Sequence, residues 1–453
     1  MKKFTCYVLS VPMILSLVAC SQSSHSNNLK TSSITSSDNS EGENIEITIP
    51  TLGENYWGNL KKYAEMFNKE NKGYKIVFKD YGNDEELIND DDFENLSNFY
   101  DSTDEMISLD IMKGNTIDII PKSIFHNTGR YEELLAKGAF TDLYEFMNDD
   151  PNINRSIFFE QVLQAFENEG KLYTMPECFK INTLAGYSKY VGTKENWTLQ
   201  ELMEHWNNMQ VEATFNGEIR SDGVYRCVLQ GYVNQFFDLK NGNVNFNSPE
   251  FINALEFCNS FPKPEDYKND NQSEKFLFPV EILSFENYHM QLSNENNEEI
   301  TFVGYPTSDG SGSFISAGDS EFAISALSSP EVQNAAWEFM STFLDYDYQY
   351  GNYGFPINKK AFEDRGREVI NNAENETITR QGIEYIRKPF TEDEYKRLVD
   401  FIPTVNKKQN NIDAEIFKII DEEVMSMLYG EKNEKETAEI IQNRVSILVS
   451  EKY

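Results

Sequence analysis

The chain has 453 residues, of which 75 are Asp or Glu and 40 are Lys or Arg, for a net charge of −35. A field of that sign makes phosphate backbones and anionic headgroups costly partners, which excludes nucleic acid, and beyond the N-terminus no apolar run approaches membrane-spanning length. Five cysteines in so long a chain imply no disulfide framework. Those beyond residue 20 are Cys178, Cys227 and Cys258, expected as buried thiols, with a single Cys227 to Cys258 bridge left open.

In chain order, Lys2 and Lys3 precede the apolar run VLSVPMILSLVAC, too short for a permanent membrane helix and laid out as a secretory signal. Its end, Leu17, Val18, Ala19, Cys20, resembles the lipobox of bacterial lipoproteins. The resemblance implies a signal peptide over 1–19, a diacylglyceryl group on Cys20, and a protein held on the extracellular face of the cell membrane through that lipid alone. An ordinary cleaved signal with an incidental Cys20 is the alternative. Residues 20–42, rich in serine and asparagine, offer almost nothing to bury and read as a flexible tether.

The remaining stretch of about 410 residues suits two lobes of ordinary domain size. Ile45, Ile47 and Ile49 alternate with polar residues, Leu60, Tyr63, Ala64 and Phe67 follow helical spacing, and Tyr74, Ile76 and Phe78 alternate again, a strand, helix, strand unit. The carboxylate-rich stretch 82–98 lacks the order of a calcium loop and reads as a solvated insertion or helix start. A helix is expected from Phe99 to Met112, a strand over Ile117 to Ile120, and one amphipathic segment from Tyr131 to Phe146. From 171 the chain reads as two short strands. Thr198 with Glu201 forms a capping box, and Ser248-Pro249 and Ser329-Pro330 each place an N-cap before a first-turn proline. TFVGYPTSDGSGSF and FAISAL are extended segments around a glycine-rich loop, and the last hundred residues read as chiefly helical. The fold class is α/β, without an internal repeat.

Several segments, in order, carry a wider resemblance: MFNKENKGYKIVFKDYG from Met66, GNTIDII from Gly114, KGAFTDL from Lys137, GKLYTMPECFKINTL from Gly170, GYPTSDGSGS from Gly304, FAISALSSPEVQNAAWEFMSTFL from Phe322, GFPINKKAFE, and IIQNRVSILVSE from Ile440. Together they make the chain similar to the extracellular solute-binding lipoproteins that feed sugar importers of the ATP-binding-cassette type, especially the maltose-binding-like group of Gram-positive bacteria. The resemblance implies a two-lobe periplasmic-binding-protein-like fold with a ligand cleft and a hinge between the lobes. It implies one lobe at 43–181 plus 306–345 and the other at 186–303 plus 350–453. It also implies a mono- or oligosaccharide ligand, permease subunits as partners, a monomer and no cofactor.

A sugar offers a flat C–H face and a rim of hydroxyls, so its site needs aromatic rings and side-chain oxygens or amides. Tyr56 and Trp57 follow the first strand, in a loop opening at its carboxyl end; packing of Trp57 on its own helix is the alternative. Glu177 and Phe179 lie beside the first crossing between lobes, where core and cleft are both served. Tyr232, Asn234, Gln235 and Phe236 form a polar-aromatic segment that suits a ligand platform or a core turn. Asp319 and Glu321 follow the glycine-rich loop, and Asn352 and Tyr353 sit among glycines that let backbone approach a ligand. Asp118, at a sheet end, suits a helix cap or the cleft. Trp197, Trp206 and Trp337 read as core.

The sequence holds no HExxH zinc site, GxSxG elbow, P-loop or CxxC pair, so neither catalytic nor metal-binding residues are expected. A surface glycosidase needs only two carboxylates and stays open as an alternative, as does an adhesin or a sensor's ligand-binding partner with the same fold.

Overall fold

A computed structural model describes residues 45–453 except 55, 71–72, 83–92, 115, 127, 210–212, 216–219, 230, 232, 240, 264–273, 293–298, 311, 318–320, 381–382, 409–413 and 453. The signal run, Cys20 and the tether lie outside the described residues, as do Tyr232, Asp319 and most of the acidic stretch.

The first strand, β1 (Ile45–Thr51), pairs in parallel with β2 (Tyr74–Asp80) across the helix α1 (Gly58–Lys69). Alternation in β1 sends Ile47 and Ile49 inward, where Leu60, Ala64 and Phe67 of α1 meet them. A three-stranded ladder adjoins this unit: β3 (Ile119–Pro121) and β4 (Met175–Pro176) flank the strand Glu321–Ile324, antiparallel to both. Asp118 joins the two ladders. Its N–H donates to the Thr48 carbonyl at 2.9 Å, and Oδ2 accepts from the Thr48 N–H at 2.8 Å.

The ten-residue strand β5 (Cys178–Tyr187) is the spine of the largest sheet. Its first half pairs antiparallel with Phe355–Pro356 and Phe314–Ser316, and its second with Ile300–Phe302; Glu274–Ile282 runs along its middle, from Ile181 to Ala185. Successive residues of one strand therefore serve different cores. Phe179 and Ile181 pack with the cluster around β1 and α1, and Leu184 with a second cluster built on the helices Pro249–Asn259, Ala414–Leu428 and Glu434–Lys452. A third cluster gathers Ile107 and Ile111, from the helix Phe93–Lys113, with Ile120 and Tyr131.

The capping signals form as read. Thr198 and Glu201 make a reciprocal capping box, and Ser248 and Ser329 cap helices whose first residues are Pro249 and Pro330. Cys178, Cys227 and Cys258 are buried and stand as thiols rather than in a disulfide. Two expectations change. The segment 131–146 is not one helix but two, Thr128–Ala136 and Leu143–Asp149, because Gly138 adopts φ +71° and Phe140 then bridges to Ser325. The C-terminal part carries a hairpin, Glu376–Arg380 with Ile383–Arg387, inside what read as helix. No helix among the described residues is long and apolar enough to cross a membrane.

Candidate functional site

The parallel ladder ends at Thr51, and the chain turns through Gly53 at φ +105° into the loop that carries Tyr56 and Trp57. Asp80, at the end of β2, holds that turn by accepting from the Gly53 and Gly82 N–H groups, each at 2.8 Å. Trp57 starts α1, its carbonyl accepting from Lys61, and its indole Nε1–H donates to the Pro50 carbonyl at 2.6 Å. Tyr56 sets its edge against the indole, 4.6 Å between ring centroids at 81°, and its hydroxyl donates to the Ser123 carbonyl at 3.1 Å. Both rings line a cavity of about 890 Å³.

Another part of the lining is organised by Gln349, a fully buried amide. Its Nε2 donates to the carbonyls of Glu177 and Phe343, both at 2.6 Å, and its Oε1 accepts from the Ile357 N–H at 2.6 Å. Every polar atom of the amide is used, so the helix Tyr346–Gly351 is pinned to the start of β5. That fixes Tyr348, which donates to Glu177 Oε1 at 2.7 Å and sets its ring 4.7 Å from that of Tyr63. Burial, then the adjacent Glu177 charge, pushes the Tyr348 hydroxyl far above its ordinary range, so it remains a donor. Gly354 approaches Cys178 so closely that a Cβ there would collide with the thiol, which sets Asn352 and Tyr353 at the cavity rim.

Ser284, just ahead of the helix Phe285–Leu292, and Glu286, Asn287 and Met290 on it also line the cavity. Arg365 and Arg387 line it as well. Arg365 Nη1 donates to the carbonyls of Asn352 at 2.7 Å and Gly354 at 2.6 Å, fixing the turn that carries Tyr353. Arg387, from the hairpin, donates to Glu376. A smaller cavity of about 420 Å³ adjoins, sharing Glu286, Arg365 and Arg387 with the first.

The structure thus brings Tyr56, Trp57, Glu177, Asn352 and Tyr353 together around one cavity. It places the other described candidates elsewhere. Phe179 is wholly buried, its ring packed on Phe159, Phe355 and Phe362. Phe236 is buried against Phe246 and Phe251 on a short 3-10 turn, and Asn234 lies on the same turn, away from the cavity lining. Asp118 lies outside the lining of this cavity and serves as a buried acceptor: besides Thr48, its Oδ1 accepts from Ser328 Oγ at 2.5 Å. Glu321 is a buried acceptor for Lys408 Nζ at 2.5 Å, with Thr174 Oγ1 at 3.3 Å and Lys122 Nζ at 3.9 Å. Trp197 and Trp337 are buried, and Trp206 is half-buried against Phe215, Phe261 and Phe276.

Sequence reasoning missed Tyr348, Gln349 and the two arginines. Tyr348 and Gln349 stand just ahead of the glycine-rich YGNYG segment, and the density of tyrosines there was a usable signal. Arg365 sits on an unremarked helix, Lys359–Asn372, and Arg387 on the unread hairpin, so neither carried one.

No family model matches the sequence, and a comparison with curated proteins returns no match. Solved structures do match. The sugar-binding protein MalE from the phytopathogen Xanthomonas citri aligns over 90% of this chain and 98% of its own, with a TM-score of 0.55 and 11% identity. An extracellular solute-binding protein family 1 member from Alicyclobacillus acidocaldarius aligns over 90% and 99%, at 0.54 and 13%. A sugar transporter from Rhizobium etli, in an open conformation, aligns over 88% and 99%, at 0.52 and 15%. At such identities the likeness is one of fold, and the chain has the two-lobe α/β fold of the extracellular solute-binding proteins.

Proposed function

We propose that this chain is a membrane-anchored extracellular solute-binding protein that captures a mono- or oligosaccharide and delivers it to an importer of the ATP-binding-cassette type. The observation that carries the reading is the cavity: about 890 Å³, within the ordinary range for ligand sites, with Tyr56, Trp57, Tyr63, Tyr348, Tyr350 and Tyr353 around it and carboxylate, amide and guanidinium groups between the rings. Rings suit the C–H face of a sugar, and the polar groups suit its hydroxyls. The Xanthomonas protein is a sugar-binding protein and the Rhizobium protein a sugar transporter, which supports the same ligand class.

In this reading the lobes are 43–181 plus 306–345 and 186–303 plus 350–453, and the cavity wall at Glu177 and Tyr348 adjoins the crossings between them. A binder of this kind acts without turnover and as a monomer, and must remain near its permease. The diacylglyceryl group on Cys20 supplies that proximity, since two acyl chains hold a membrane stably where one does not. The test is a thermal-shift panel of saccharides, peptides and amino acids. A ligand present at a hundredfold its dissociation constant stabilises the fold by about 2.7 kcal/mol. Shifts with saccharides support the reading; shifts confined to peptides or amino acids, or release of reducing ends from a bound glycan, overturn it.

A further inference from the structure

Resting on the saccharide reading, we infer that the captured sugar is acidic, carrying a carboxylate or sulfate that Arg365 and Arg387 receive. Arg365 lines both adjoining cavities and is half-buried, yet it makes no ion pair among the described residues. In a chain with 75 acidic against 40 basic side chains, a partner carboxylate is easily found. Lys79, Arg155, Lys360, Lys408 and Arg444 all have one.

Burial disfavours the Arg365 charge, and nearby acidic groups, Glu286 first and Glu368 among the rest, offset part of this through space. The guanidinium spends a single nitrogen, Nη1, on the Asn352 and Gly354 carbonyls. Among the described residues its other N–H groups have no hydrogen-bond partner. A half-buried cation with donors to spare is a receptor for an anion, and the planar guanidinium fork fits a carboxylate edge to edge. Arg387 enters the same two cavities with Nη2 committed to Glu376, so its remaining edge offers a second point of contact. Tyr63, Tyr348 and Trp57 line the larger cavity together with both arginines, so the one cavity offers rings for the sugar and guanidinium groups for its charged substituent.

The chain's overall negative charge opposes an anionic ligand at long range, and Glu177, Glu286, Glu368, Glu374 and Glu376 on the two cavity linings oppose it locally, so selectivity has to come from the guanidinium donors themselves. The experiment is isothermal titration of the purified protein with trigalacturonate, a sulfated disaccharide and maltotriose, repeated with Arg387→Gln and Arg365→Lys. Thermal melts without ligand confirm that both variants fold. The inference predicts that an acidic sugar binds at least tenfold more tightly than maltotriose and that Arg387→Gln weakens it by about 10- to 100-fold, the loss of a charge-assisted hydrogen bond. Arg365→Lys, which keeps the charge and loses the fork, should weaken the carboxylate ligand more than the sulfated one. Preference for maltotriose, or acidic binding indifferent to both substitutions, overturns the inference while leaving saccharide capture intact. Failure of all three sugars overturns both.

Discussion

Tyr353 separates ligand recognition from stability more cleanly than any other residue of the cavity. Its side chain is 71% exposed, while Tyr348 and Trp57 are held by hydrogen bonds. Replacing it with alanine should therefore change apo stability by no more than about 0.5 kcal/mol. In the complex the ring would cover the sugar face. Stacking contributes about 0.5–1.5 kcal/mol, and shielding roughly 40 Å² of apolar surface, at about 25 cal/mol per Å², adds about 1 kcal/mol. The sum corresponds to a weakening of about 10- to 70-fold. Calorimetric titration of Tyr353→Ala with the strongest saccharide of the panel, beside a thermal melt, reads both quantities, and Tyr353→Phe should stay within about threefold of the parent. An alanine variant with unchanged affinity, or one that loses more than about 1 kcal/mol of stability, would refute this account of the rim.

Asp118→Ala should cost about 2–4 kcal/mol in a denaturant melt, because it strips the Thr48 N–H and Ser328 hydroxyl of a buried charged acceptor, and should leave saccharide affinity unchanged. Lys408→Met should cost about 3 kcal/mol by leaving Glu321 with weaker partners, and much of that should return in Glu321→Leu/Lys408→Met. The acid limb of stability should depend on Asp110, whose carboxyl is held well below its ordinary 3.8 by hydrogen bonds from Lys113 and Lys79 and, more weakly, from Tyr81. A depressed folded value means that its contribution is full above about pH 4 and fades as pH falls further, so Asp110→Asn should flatten the pH dependence of melting there.

Local signals in the sequence carried over well where a single element decides the outcome. The capping box at Thr198, the two serine-proline starts and the β1, α1, β2 alternation all depend on residues within a few positions of one another. The site was legible only in part for the opposite reason. Tyr56, Trp57, Asn352 and Tyr353 could be found because loops after strands and glycine-flanked turns announce themselves. Glu321 lies next to Phe322, which does face the cavity, and a strand's alternation turns neighbours to opposite sides; Phe179 stands two beyond Glu177, which precedes the strand Cys178–Tyr187, so alternation gives no relation between those two. One-residue uncertainty in register is enough to exchange a wall residue for a core residue. The arginine wall was invisible because it depends on the packing of the helix Lys359–Asn372 and a hairpin against distant segments, which no short pattern encodes.

The stability cost of altering Trp57 also differs from a pure ligand contact, since the indole is half-buried against two core clusters and bonded to Pro50. Phenylalanine keeps most of that packing and removes the fluorophore. Of the four tryptophans, Trp57 alone lines the cavity. Fluorescence titration with saccharide therefore tests at once whether a sugar binds and where. Saccharide capture in this cavity predicts a saturable change in the parent protein that disappears in Trp57→Phe, while calorimetry shows that the variant still binds. No change in the parent with any saccharide, or the same change in Trp57→Phe, would contradict it.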